Sequence, residues 1–266
     1  MTVVGGERVV AGGDGGSGLV PVSIPVPAPG SAPVAVSVSG SGSVAASDSA
    51  SVSVSAWLVG DVPSAAVADL LATLDDEECR RLARLPSAEG RRRFVIAHGA
   101  MRRVVGECLG APPAELRWET GEQGKPELVG EWTGIHANLS HSGDRCLIAV
   151  SRERAVGADI QRVVPGLEVV AMARRYFPEA EAQDVIDAAD PADVFGRLWA
   201  RKEAVTKAAG GRLTQVLPLA TPPDAIVEVA GYRYRVADVE APAGFHAAVA
   251  LAGAEQFMVE VNEWLP

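Results

Sequence analysis

The chain has 266 residues, a formal net charge of −10 and 48% hydrophobic residues, long enough for one large or two small domains with a sizeable core. The acidic balance excludes a general nucleic-acid binder. No stretch approaches the roughly 18 apolar residues of a membrane span, and no basic start leads into a continuous apolar run of the secretory kind. Three widely spaced cysteines, Cys79, Cys108 and Cys146, form no metal-ligand pattern, so reduced thiols in a cytoplasmic protein are expected.

Residues 1–55 are almost all Gly, Ser, Val, Ala and Pro. They read as a low-complexity, disordered leader, with an exposed strand at SVSVS as the alternative. From Trp57 the pattern is that of a folded domain. AWLVG predicts a first strand, and residues 64–84 and 88–109 predict helices, with Val67, Leu70, Leu71 and Leu74 at helical spacing. Eight arginines (Arg80, Arg81, Arg84, Arg91, Arg92, Arg93, Arg102 and Arg103) fall within 24 residues, a local anion site in an acidic chain. ELRWET reads as a short strand, NLSHSGD (138–144) as a polar turn, and CLIAVS and RAVGADIQRV as two strands of a hairpin. Helical patterns over 167–177, 180–188 and 191–209 follow, then strands at QVLPL, AIVEVAGYRYRVADV, GFHAAVALA and QFMVEVNE. Helices precede strands twice over. The expected fold is therefore α+β, a pseudo-two-fold arrangement of two similar halves at 56–152 and 153–266.

Four stretches carry chemistry. In RAVGADIQRV, strand alternation puts Val156, Ala158 and Ile160 on one face and Gly157, Asp159 and Gln161 on the other. A carboxylate and an amide two residues apart suit a hard cation such as Mg²⁺; the alternative is a polar strand face in water. In LWARKEAVTKAAG, Trp199, Glu203 and Lys207 recur every four residues and share a helix face, with Lys202 beside it. Glu203 supplies a second carboxylate and the lysines phosphate-neutralising charge, unless the pair is only an i,i+4 salt bridge of about 0.3–0.5 kcal/mol. NLSHSGD offers donors that suit an oxyanion, and Ser140 beside His141 is also compatible with a nucleophile–base couple. GEQGKPEL presents Lys125 from a turn.

In this order and spacing, GKP, NLSHS, VGADIQ and LWARKEAVTKAAG resemble the 4′-phosphopantetheinyl transferase superfamily, in its larger, monomeric type that activates peptide and polyketide synthases. The resemblance runs from Trp57 to the C-terminus, about four-fifths of the chain. It implies transfer of 4′-phosphopantetheine from coenzyme A to a serine of an apo acyl or peptidyl carrier protein, releasing adenosine 3′,5′-bisphosphate. It also implies Mg²⁺, with Mn²⁺ as the alternative ion, held by Asp159, Gln161 and Glu203. Glu203 would be the base, Asp159 and Lys207 would complete the catalytic group, and Lys202 and Lys207 would contact the pyrophosphate. Lys125, Ser140, His141, Arg84, Arg93 and Arg81 would hold the nucleotide end of coenzyme A. Many relatives carry a third carboxylate where this chain has Gln161, which leaves a non-catalytic coenzyme A-binding paralogue as the alternative.

Overall fold

A computed structural model of the protein describes residues 52–121, 125–164 and 166–266. Of the expected leader at 1–55, residues 1–51 lie outside the described residues. Its last four residues do not: the alternating VSVS run opens the first strand, β1 (Val52–Val59), which starts earlier than the expected boundary.

Three helices follow. A break at residues 72–75 splits the expected 64–84 helix into α1 (Ser64–Leu71) and α2 (Asp76–Ala83). The break has a local cause, because Asp75 accepts from Glu78 N while Glu78 returns a carboxylate to Asp75 N, a reciprocal cap that starts a new helix. Helix α3 (Ala88–Leu109) is capped by Ser87 and closed by Gly110 at φ 64°. A small hairpin, β2 (Trp118–Thr120) with β3 (Pro126–Leu128), leads to β4 (His136–Ser142), β5 (Arg145–Ser151) and β6 (Val156–Arg162). Then come α4 (Val169–Tyr176), α5 (Glu179–Asp187), α6 (Pro191–Ala209), a one-turn α7 (Leu213–Val216), and β7 (Ile226–Val229), β8 (Tyr232–Val239), β9 (Phe245–Ala252) and β10 (Phe257–Trp264).

The mixed α+β class is as expected. Two four-stranded sheets, ordered β10-β1-β5-β4 and β6-β9-β8-β7, stack face to face. Between them lie Val54, Ala56, Leu147 and Ala149 from the first sheet and Val156, Ala158, Ile160, Val249 and Leu251 from the second. Helix α3 covers the outer face of the first sheet, with Val95, Met101 and Val104 against Leu139, Ile148 and Val150. Helix α6 covers the outer face of the second, with Ala200, Ala204 and Ala208 against Val236, Ala248 and Ala250. Burying one Ile or Leu in these layers contributes about 1.5–3 kcal/mol.

Two expectations are corrected. The strands β5 and β6 are not a hairpin: β6 pairs with β9, and its apolar residues Val156, Ala158 and Ile160 pack on the first sheet. QVLPL is not a strand, since residues 213–216 form α7 and turn Val216 and Leu217 into the core. Strand β10 pairs in parallel with β1 and completes the first sheet.

Candidate active site

Helix α6 and strand β6 bring the chemistry together. Asp190 caps α6 by accepting from Ala192 N and Asp193 N, Pro191 opens it, and Gly210 at φ 65° ends it. One face of α6 lies on β6 at a separation that only glycine permits. A Cβ on Gly157 would fall 2.1 Å from the Ala204 carbonyl oxygen and 2.3 Å from Ala208 N. At that closeness the next inward-facing residue of β6, Asp159, reaches the side chains of α6.

Lys207 Nζ sits 2.5 Å from Asp159 Oδ1 and donates to Ser140 Oγ at 3.0 Å, and Ser140 in turn donates to Asp159 Oδ1 at 2.7 Å. All three side chains are buried, as is Glu203, one turn of α6 before Lys207. The cluster therefore has one cation and two carboxylates. Two of its oxygens, Asp159 Oδ2 and Glu203 Oε1, are buried without a hydrogen-bond partner. Burial pushes the Glu203 pKa up to about 7; Lys207 opposes the shift and the charge of Asp159 adds to it. Burial likewise raises the Asp159 pKa, against the pull of Lys207 and Ser140.

Two desolvated carboxylates that each keep a free oxygen fit a divalent cation, since native proteins rarely leave such acceptors unmatched. Among the described residues no group of three or more His, Cys, Asp or Glu could hold a metal alone. The remaining ligands would be an amide, substrate phosphate and water, as hard cations such as Mg²⁺ accept. Gln161 stands two residues beyond Asp159 on the same face of β6 and is partly buried. Its amide nitrogen donates to the Arg162 carbonyl at 3.0 Å, leaving its own carbonyl oxygen as the ligand it can offer.

A family model of the 4′-phosphopantetheinyl transferase superfamily matches residues 155–246, the segment from β6 into β9 that contains Asp159, Glu203 and Lys207. The chain is also similar to 4′-phosphopantetheinyl transferase HetI of a Nostoc species, 32% identical over 160 residues, covering 59% of this chain and 68% of the relative. The chain belongs to the 4′-phosphopantetheinyl transferase family. A putative 4′-phosphopantetheinyl transferase of a Synechocystis species is 34% identical over 154 residues, covering 55% of this chain and 63% of its own. The 4′-phosphopantetheinyl transferase ffp of Bacillus subtilis is 31% identical over 160 residues, with 55% and 69% covered. The protein is an enzyme of this kind, and no helix among its described residues is long and apolar enough to cross a membrane.

The transferase cluster gathers four residues singled out from the sequence: Asp159, Glu203, Lys207 and Ser140. His141, next to Ser140 along β4, keeps contact with solvent at the rim of the site. The walls around its ring, followed by the fields of His98, Lys207 and Arg93, push its pKa down to about 4, so the imidazole is neutral near pH 7. Arg93 is held to Glu89 by a short ion pair. Arg81 lies 5.4 Å from the centre of the Phe94 ring, which stacks on His98 at 4.0 Å. Arg84 is exposed at the end of α2. Arg81 thus stands beside the Phe94–His98 pair.

Several expected roles are corrected. Lys202 points to the other side of α6, where it is fully buried, lies 2.5 Å from Glu181 Oε2 and packs over Phe177 at 4.8 Å. Its charge is paired with that of Glu181. Lys125 is also buried, donating to the carbonyls of Val156 at 3.1 Å and Ala208 at 3.2 Å. It ties the start of β6 to the last turn of α6, where carbonyls lack helical partners and favour a cation. Trp199 stacks on Phe195 at 5.5 Å in the cluster between α4, α5 and α6. Ser140 bonds Asp159 and Lys207, so it does not form a nucleophile couple with His141. Of the arginine cluster, Arg102 is structural: fully buried, it binds Glu78 at 2.6 Å, pairs closely with Asp75 and covers the Trp118 ring at 4.5 Å.

NLSHS is strand rather than turn, which changes the reading of Asn138. Its Oδ1 accepts from Ala158 N at 2.9 Å, and Ser142 Oγ accepts from Arg162 N at 3.1 Å. In a turn, Asn138 would serve as a donor; in the strand it is an acceptor. The available signal was the spacing of Asn138, Ser140 and Ser142, every second residue and therefore one strand face.

Proposed function

We propose that this transferase moves the 4′-phosphopantetheine arm of coenzyme A to a serine hydroxyl of an apo acyl or peptidyl carrier protein. The pair of buried, half-satisfied carboxylates, Asp159 and Glu203, beside the Lys207 ammonium carries this reading. Asp159 Oδ2, Glu203 Oε1 and the Gln161 carbonyl would hold Mg²⁺, or Mn²⁺ in its place. When bound, that ion would neutralise charge on the pyrophosphate.

The carrier serine oxygen forms a bond to the β-phosphorus, and the bond from that phosphorus to the bridging oxygen breaks, leaving adenosine 3′,5′-bisphosphate. The serine proton passes to Glu203, directly or through a water. Lys207, already 2.5 Å from an anionic oxygen, turns its remaining N–H groups to the pyrophosphate. His141, Arg93 and Arg81 hold the nucleotide end with its 3′-phosphate, with Arg84 at the periphery. Little covalent chemistry is asked of the protein, so positioning and charge neutralisation supply the rate. The enzyme acts as a cytoplasmic monomer without nucleic acid or membrane partners.

The test is release of adenosine 3′,5′-bisphosphate from coenzyme A, with a panel of apo carrier proteins. Release should require carrier and Mg²⁺ together, stop with a chelator and fall below detection for Asp159→Ala. Release that is indifferent to chelator and to Asp159→Ala would overturn the reading.

A further inference from the structure

Where β4 passes β6 the two strands share no backbone ladder, although β4 is the last strand of its sheet and β6 the first of the other. Side chains take the ladder's place. Asn138, Ser140 and Ser142 all project from β4 toward β6 and meet Ala158 N, the Asp159 carboxylate and Arg162 N in the same order along both strands. Asn138 is fully buried and Ser140 is 3% exposed, so the inner two contacts are shielded from water.

This seam fixes the rotation and height of β6 at Asp159. The Asn138 bond anchors the backbone one residue before it. Ser140 and Lys207 both engage Oδ1, which leaves Oδ2 as the free oxygen, buried and without a partner as Glu203 Oε1 is. A carboxylate on an unrestrained side chain would rotate and offer either oxygen; here one is already committed. We infer that the Asn138 and Ser140 side chains are positioning groups for the divalent cation: they aim Asp159 Oδ2 at it. The inference rests on the proposed cation site and assigns it an outer shell. Such supporting contacts orient ligands and, when removed, typically weaken metal binding by about 10–100-fold.

Binding of Mn²⁺ to the full chain, followed by the electron paramagnetic resonance of the free ion, tests this without turnover. Coenzyme A binding in the presence of EDTA is measured by calorimetry on the same samples. Ser140→Ala should weaken Mn²⁺ binding by about tenfold or more and leave metal-free coenzyme A affinity unchanged. Asn138→Leu would strand the buried Ala158 N–H and could unfold the protein, so Ser140→Ala, which removes one oxygen atom, carries the decision. Native Mn²⁺ affinity in Ser140→Ala, or a loss of metal-free coenzyme A binding, overturns the inference. Failure of the unmodified protein to bind Mn²⁺ would instead remove the cation site itself and the inference with it.

Discussion

Gly157→Ala perturbs the site without touching any ionisable group. The new methyl carbon would lie 2.1 Å from the Ala204 carbonyl oxygen, 2.3 Å from Ala208 N and 2.9 Å from the Lys207 carbonyl carbon. All three are backbone atoms of one helix, so no side chain can rotate away. Relieving the contact requires α6 to retreat from β6 by about 1 Å, carrying Glu203 and Lys207 away from Asp159; a misplacement of that size costs on the order of 10²-fold in rate. Overpacking of this kind costs about 1–3 kcal/mol, which for a protein of this size lowers Tm by about 3–10 °C. The assay is a time course of carrier-protein modification beside a thermal melt. A variant with native rate and native Tm would refute the claim that this close approach builds the site.

Three further outcomes follow from the same geometry. Burial raises the Glu203 pKa from 4.5 to about 7, so the native metal-free protein binds more protons than the unfolded chain between those values. The contribution of Glu203 to stability should therefore be most favourable below pH 4.5 and decline toward pH 7, by up to about 3 kcal/mol; Glu203→Gln should remove this component of the slope in urea titrations, and an unchanged slope would count against its burial. Lys202→Met should destabilise by about 3–5 kcal/mol through the stranded Glu181 while leaving the KM for coenzyme A unchanged in the folded protein; a raised KM would return Lys202 to the phosphate site. Arg93→Ala should raise the KM for coenzyme A by about fivefold with kcat near native, and a fall in kcat alone would move Arg93 out of the nucleotide end.

What the sequence disclosed was whatever depends on local period. Alternation along 156–161 separates Asp159 from the apolar face of β6, and the four-residue repeat of Glu203 and Lys207 places both on one side of α6. Both inferences need only the neighbours in the chain. The lysines were harder because their partners are remote. Lys202 is claimed by Glu181 from another helix, and Lys125 by carbonyls 31 and 83 residues away. The serines of NLSHS gave a turn signal that burial overrode, since β6 satisfies in a strand the same hydroxyls that would otherwise favour a loop. The one-turn helix α7 under QVLPL is hidden for a related reason. Four residues are too few to show a period, and Val216 and Leu217 are placed by the cores they enter. The β5–β6 turn looked like a hairpin because nothing near it in sequence reveals that β6 belongs with β9.

The most direct measurement is intact-mass spectrometry of apo carrier proteins incubated with this protein, coenzyme A and Mg²⁺. A gain of one phosphopantetheine arm on the carrier is expected, absent when Asp159 or Glu203 is replaced by alanine. No gain on any carrier, from a protein that nonetheless binds coenzyme A, would contradict it and leave a coenzyme A-binding protein without turnover.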